Sequence, residues 1–288
     1  MIHIENLSFE YRNTKLYQQF NLKLSEPGVY GVFGRNGSGK STLLKLLAGL
    51  LFPQRGKIGV RGFAPGKRHP DFLSQIYIVP EEFHLPNLTA KQLASSQSVF
   101  YPKFSEKAFS EYLAIFEIAD DQNFDEMSLG QKKKAAISFA LATFTPILLL
   151  DEPTNGIDII GRDQFKSIMS RPEQRERMVL ISTHQAHDLE RIMSHILFLD
   201  SATLALSATM QELASALRMG IAQNADELSG ISDVIYHEML GQQYAYVAKN
   251  HSDSESPVHL ELLYKALSLQ KSGILASLQK PQMEAANV

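Results

Sequence analysis

Apolar and polar residues alternate loosely at the start of the chain. Ile2, Ile4, Leu7 and Phe9 stand among polar neighbours, which predicts an edge strand closed by Tyr11. Phe20-Asn21-Leu22-Lys23-Leu24 alternates more cleanly and predicts a second strand, ended by the turn signal Glu26-Pro27-Gly28. Val29-Tyr30-Gly31-Val32-Phe33 then reads as a buried strand, and Leu43-Leu44-Lys45-Leu46-Leu47-Ala48 as a helix. That helix is expected to stop near Gly49, because Pro53 and Gly56 lie just beyond. Short apolar pieces between Gly56 and Pro80, such as Ile76-Tyr77-Ile78-Val79, predict strands and loops. From Leu88 to Phe144 the periodicity turns helical, with Ser105 as an N-cap and Phe109, Leu113 and Phe116 at core-facing spacing. Four apolar residues in a row, Ile147 to Leu150, suit a strand covered on both faces of a parallel sheet. Past Ser207, Gln211 to Met219 predicts an amphipathic helix and Pro257 to Leu269 another. Val234-Ile235-Tyr236 and Tyr244-Ala245-Tyr246-Val247 predict strands between them, and Lys280 to Val288 a polar, frayed end.

The junction between the third strand and its helix carries the first chemical signal. Gly34-Arg35-Asn36-Gly37-Ser38-Gly39-Lys40-Ser41-Thr42 fills the phosphate-loop pattern G-x-x-x-x-G-K-[ST] between the required strand and helix. Gly34, Gly37 and Gly39 allow backbone conformations that turn successive N–H groups inward around phosphate oxygens. The helix behind adds its positive N-terminal end. Lys40 supplies a cation for the β- and γ-phosphates, and the Ser41 hydroxyl a ligand for Mg²⁺. A nucleoside triphosphate is the expected ligand. The second signal is the pair Asp151-Glu152 at the end of the 147–150 strand, where α/β folds gather ligand chemistry. Asp151 is placed to hold Mg²⁺, through water, and Glu152 to act as general base on the attacking water.

Composition narrows the field. A chain of 288 residues, 44% hydrophobic, is long enough for one α/β domain with an appendage or for two small domains. A net charge of −3 gives no electrostatic reason to expect nucleic acid. Without cysteine there are no disulfides, which fits a reducing compartment. Met1-Ile2-His3-Ile4-Glu5-Asn6 is no signal sequence, and the apolar tract from Ile137 to Leu150 is too short to span a bilayer. Any membrane role is therefore expected through another polypeptide. The basic run Lys132-Lys133-Lys134 is shorter than a nucleic-acid patch and reads as a solvated helix face.

With these motifs in order, residues 1 to 206 resemble the nucleotide-binding subunit of an ATP-binding cassette (ABC) transporter. The family's signature is matched by Met127-Ser128-Leu129-Gly130-Gln131 at a helix start. Its loop after the carboxylates is matched by Asn155-Gly156-Ile157-Asp158, and its switch histidine by His184 in Ile181-Ser182-Thr183-His184. The resemblance implies a P-loop NTPase of α/β class: a mostly parallel core sheet, an N-terminal antiparallel β-subdomain, a helical insertion (about 88–144) carrying the signature, and a small C-terminal α+β extension, 207–288. ATP would be bound by Gly34, Asn36, Gly37, Ser38, Gly39, Lys40, Ser41 and Thr42, with Tyr11 against the adenine. Ser41, Asp151 and Glu81 would serve Mg²⁺, and Glu152 and His184 would be catalytic. Ser128, Gly130, Gln131 and Asp158 would reach the nucleotide of a partner, because the family closes two subunits head to tail around two ATP.

Two departures stand out. Glu81, in Val79-Pro80-Glu81-Glu82, takes the place of the usual glutamine, with Glu82 as the competing assignment; Leu129 replaces the first signature glycine. Both resemble single-cassette subunits serving separate permeases, exporters more than importers. The partners implied are a second copy or a paralogous ATPase subunit and an integral membrane permease, with no nucleic acid. The location implied is the cytoplasmic face of the membrane. A soluble ABC ATPase acting on ribosomes or DNA is the alternative, set back by the single cassette and the missing heptad insertion. A catalytically silent regulator is the third, set back by the presence of Lys40, Asp151, Glu152 and His184.

Overall fold

Strand β1 (Ile2–Tyr11) carries its alternation through an interruption: Ile4 and Leu7 are both buried although three residues apart. A bulge absorbs the odd step, with Asn6 at φ 48 and the register slipping between Ile4 and Leu7. In the computed structural model, which describes residues 1–12, 14–184, 189–252 and 254–278, β1 is the middle strand of a three-stranded antiparallel sheet. It pairs with β2 (Thr14–Leu24) on one side and β4 (Arg55–Val60) on the other, so the expected edge position is corrected. The glycine- and charge-rich sequence of β4 hides it from a pattern search.

The second sheet has six strands in the order β5 (Ile76–Val79), β6 (Ile147–Asp151), β7 (Met178–Ser182), β3 (Gly28–Phe33), β8 (His195–Asp200) and β9 (Thr203–Thr209). The pairs β5·β6, β6·β7, β7·β3 and β3·β8 are all parallel. β9 returns through a two-residue hairpin turn, Ser201 and Ala202, both at positive φ. β3, β6 and β7 are buried at every position, as strands covered on both faces must be.

Helix Lys40–Leu47 lies in a core that joins the two sheets. Leu43, Leu44, Leu46 and Leu47 pack with Ile2, Ile4 and Leu7 of the antiparallel sheet and with Tyr30, Val32, Leu149 and Leu180 of the parallel one. Each leucine so buried is worth about 1.5–3 kcal/mol, and together they fix the phosphate loop against both sheets. The 88–144 stretch is helical as expected, in helices Ala90–Gln97, Glu106–Ile115 and Leu129–Ala142. Ser105 caps the second, and Phe109, Leu113 and Phe116 are buried.

The described chain divides into two compact units, of which Met1–His184 with Arg191–Leu204 is the first. The second is built on a separate antiparallel sheet, β10 (Leu217–Ala222), β12 (Gln243–Lys249) and β11 (Val234–Leu240), in that order. Helix Leu260–Leu278, broken at Gln270, packs against all three strands. The helix expected over Gln211–Met219 is corrected: it runs Met210–Ala216, and the chain then extends into β10. Leu217 and Met219 are buried with a period of two and pair with Lys249 and Val247, so cross-strand burial overrides helical propensity there. The frayed end expected over 280–288 lies outside the described residues.

Candidate functional site

A glycine at position 39 is required twice over. Its φ is 103, and a Cβ there would lie 2.5 Å from the Tyr17 hydroxyl, which donates to the Gly39 carbonyl at 2.9 Å. Tyr17, on β2, thus holds the loop from below, while no side chain caps the helix it feeds. The Lys40 ammonium folds back over the loop and donates to the carbonyls of Gly34 (2.9 Å) and Arg35 (3.3 Å). Burial lowers its pKa from the ordinary lysine value, against the opposing pull of Glu152, Asp151 and Glu81.

The parallel register brings the carboxylates to this loop. Asp151 ends β6 opposite Ser182, the last residue of β7. Its Oδ1 accepts hydrogen bonds from Ser41 Oγ, at 2.9 Å, and from Ser182 Oγ. The Glu152 N–H donates to Ser182 O (3.0 Å) and Oγ (3.1 Å), which pins the turn after the strand. There Glu152 takes φ 45, in the left-handed region. Its Oε1 lies 2.9 Å from His184 Nδ1, and its buried Oε2 has no hydrogen-bond partner. A cleft lined by Tyr11, Asn36, Gly37, Gly39, Lys40, Ser41, Thr42, Glu81, Glu152 and His184 gathers most of the expected site. Tyr11, half exposed at its edge, hydrogen-bonds Thr42 Oγ1 at 3.2 Å. Of the two candidate glutamates, Glu81 lines the cleft and accepts from Asn155 Nδ2 at 3.1 Å. Gly34 and the buried Ser38 complete the loop.

The signature residues are arranged otherwise. Ser128 caps helix Leu129–Ala142 by accepting from the Gln131 N–H, and Gln131 Oε1 accepts from the Ser128 N–H in return. Leu129 is 68% exposed at this tip. Gly130 approaches the loop after the carboxylates so closely that a Cβ would lie 2.7 Å from Gly156 O. Asp158 caps the following helix, Ile159–Met169, accepting from the Gly161 N–H at 2.6 Å, and meets Lys134 Nζ at 3.3 Å. The Gly161 bond and then Lys134 hold its carboxyl below the usual aspartate range. Ser128, Gly130, Gln131 and Asp158 lie outside the lining of their own chain's cleft.

The lysine run corrects the expectation of a solvated face. Lys133 is 3% exposed and Lys134 9%. Lys133 Nζ donates to the carbonyls of Glu152 (2.8 Å) and Asn155 (3.0 Å). Burial lowers its pKa, with Glu81, Glu152 and Asp151 acting in the opposite sense. The signal was present in the helical period, since Lys133 shares a stripe with Ile137 and Ala140, both buried. Tyr17 carries no sequence signal, and Ser182 and Asn155, though inside matched motifs, gain their contacts to Asp151 and Glu81 only from the fold.

A phosphate loop entering a helix between two sheets, with a carboxylate pair at the neighbouring strand ends, defines a P-loop nucleoside triphosphatase with a helical insertion. The family model described as "ABC transporter" matches residues 17–155. The ABC transporter ATP-binding protein YtrB of Bacillus subtilis (strain 168) is 31% identical over 215 residues, 74% of this chain and 73% of its own. The molybdate import ATP-binding protein MolC of Haemophilus influenzae is 31% identical over 222 residues, 74% of this chain and 85% of its own. A dimeric ATP-binding cassette solved with ADP and phosphate superposes with a TM-score of 0.63 at 22% identity, covering 73% of this chain and 99% of that one. The chain belongs to the ABC transporter ATP-binding family, the ABC ATPases. Among the described residues no helix is long and apolar enough to cross a membrane.

Proposed function

We propose that this chain is the ATP-hydrolysing subunit of an ABC transporter, with residues 1–206 as the ATPase domain and 207–288 as an appendage. In this reading two copies, or this chain and a paralogue, close head to tail around two ATP and drive a separate membrane permease. The observation that carries it is the convergence of Lys40, Ser41, Asp151, Glu152 and His184 around one cleft.

The chemistry follows from these contacts. The loop's N–H groups and Lys40 take the phosphates, Lys40 exchanging the carbonyls of Gly34 and Arg35 for phosphate oxygens. Glu152 accepts the proton of the attacking water, and its buried, unpartnered Oε2 is the atom suited to that task. His184, bonded to Oε1, holds the carboxylate in orientation and approaches the γ-phosphate. The donor set at Ser41 and Asp151 suits Mg²⁺, a hard ion that binds one or two carboxylates and draws its remaining ligands from phosphates and water. Glu81, on the cleft wall, is the third candidate ligand. Mg²⁺ bound there would neutralise charge on the β- and γ-phosphates.

The helix tip at Ser128–Gln131 supports the dimer reading: it lies outside the lining of its own cleft, so as a second anion-binding surface it would serve another chain's nucleotide. Tyr11, beside Thr42 at the cleft edge, is the adenine platform in this reading. A groove of about 880 Å³ between 68–78 and 97–102, with Leu50 and Phe100 exposed beside it, is the apolar surface we assign to the permease. We assign export as the direction, on the departures at Glu81 and Leu129; the relative named for molybdate import makes vesicle transport assays the deciding measurement. Glu152→Gln is expected to slow hydrolysis by roughly 10²- to 10⁴-fold while ATP binding persists and ATP-bound dimers accumulate in size analysis. Normal turnover by that variant would remove Glu152 from its role.

A further inference from the structure

Lysines are almost never buried unless paired, yet the Lys133 ammonium, on the signature helix, is enclosed with two neutral carbonyls as its hydrogen-bond acceptors. One carbonyl belongs to Glu152 itself and the other to Asn155, three residues on. Asn155 in turn donates its side-chain N–H to Glu81. A continuous path therefore runs from the signature helix through Lys133 to the backbone of Glu152, and through Asn155 to a carboxylate on the cleft wall.

The charge arrangement gives the path a second purpose. Glu81, Asp151 and Glu152 converge on a cleft meant for a polyanion, and each carboxylate there opposes phosphate binding. With Lys40 assigned to the phosphates, Lys133 is a second buried cation, bonded to the backbone of Glu152. Its geometric link to Glu81 runs through Asn155, whose carbonyl accepts from Lys133 and whose side chain donates to the Glu81 carboxylate. A neutral residue at 133 would keep none of the charge, and glutamine, one methylene shorter, would have to reach both carbonyls with a single NH₂.

We propose that Lys133 is a positioning residue for ATP hydrolysis: it ties the turn bearing Glu152 to the signature helix, and its charge offsets Glu81 so that a carboxylate can stand beside the triphosphate. Glu81 and Lys133 act as one unit, and movement of the signature helix tip is transmitted directly to the backbone of the base. The inference rests on the reading of Glu152 as the base.

The test is a double-mutant cycle of wild type, Glu81→Gln, Lys133→Gln and the double variant, with kcat, KM for MgATP and nucleotide-free melting temperature measured for each. Lys133→Gln is expected to lower kcat and raise KM. The double variant should be at least about tenfold more active than the product of the single effects allows, within the coupling range of residues in one hydrogen-bond network. Multiplicative effects, or a Lys133→Gln protein with unchanged kcat, would overturn the proposal. Lys133→Arg, which keeps charge and donors, should recover most of kcat, and failure to do so at normal melting temperature counts against it. If every substitution at Lys133 unfolds the chain, the exposed Glu81→Gln still decides: with Lys133 no longer offset, ATP without Mg²⁺, where the metal-ligand role of Glu81 is silent, should bind several-fold tighter, and unchanged affinity sinks the charge-balance claim. Glu152→Gln run alongside separates the two readings. Its normal turnover would defeat the parent assignment, whereas an inert Glu152→Gln with an additive cycle would defeat only this one.

Discussion

Lys40 illustrates how one side chain is committed before its ligand arrives. Its ammonium is buried and already satisfied by loop carbonyls, so in the proposed reading phosphate binding replaces one set of charge-assisted bonds by a stronger one. Lys40→Ala is expected to weaken ATP binding by roughly 10- to 150-fold, about 1.5–3 kcal/mol, in a calorimetric titration. Lys133 offers a different test, through pH. Burial holds its folded pKa below the ordinary value, so its enclosure costs stability at neutral pH. Between the folded and ordinary values the unfolded chain binds more protons, and stability rises with pH across that window. The stability of wild type minus that of Lys133→Met should therefore increase from neutral pH toward the ordinary lysine value, measured by urea unfolding. A difference that stays flat would show that enclosure does not strain the charge.

At the scale of elements, tips and turns matter more than lengths. Gly130 sits on the signature helix with no room for a Cβ before Gly156 O. Gly130→Ala must push the helix tip away from the 155–158 loop, and is expected to cut kcat at least about tenfold while leaving single-chain ATP affinity intact. The same elements show what the chain's pattern reveals. The phosphate loop and β6 were legible because special backbone geometry and double-sided burial demand particular residues: glycines at fixed spacing, and four apolar side chains in a row. The place of β1 was not, since its second neighbour, β4, is Arg-Gly-Lys-Ile-Gly-Val and shows little apolar alternation. Nor was β10, where short-range periodicity fits a helix and only pairing with β12 decides. Lys133 escaped because charge is normally a sign of solvent, and the two carbonyls that accept it are distant in sequence.

For the whole molecule, the two units pose separate questions. The family model, residues 17–155, falls wholly within the first, as does the proposed nucleotide site. The second has its own small core around Ala222, Tyr246 and Ala248. Global stability, however, is touched from inside the cleft. A left-handed backbone at a residue other than glycine costs on the order of 1–3 kcal/mol, and Glu152 bears that cost together with an enclosed, unmatched oxygen. Glu152→Gly would lift both burdens and is expected to raise the melting temperature by a few degrees, while ending turnover; a lower melting temperature would refute it. A chain that has lost its trade would then be the sturdier one, and selection for heat resistance alone would steer it toward inertness.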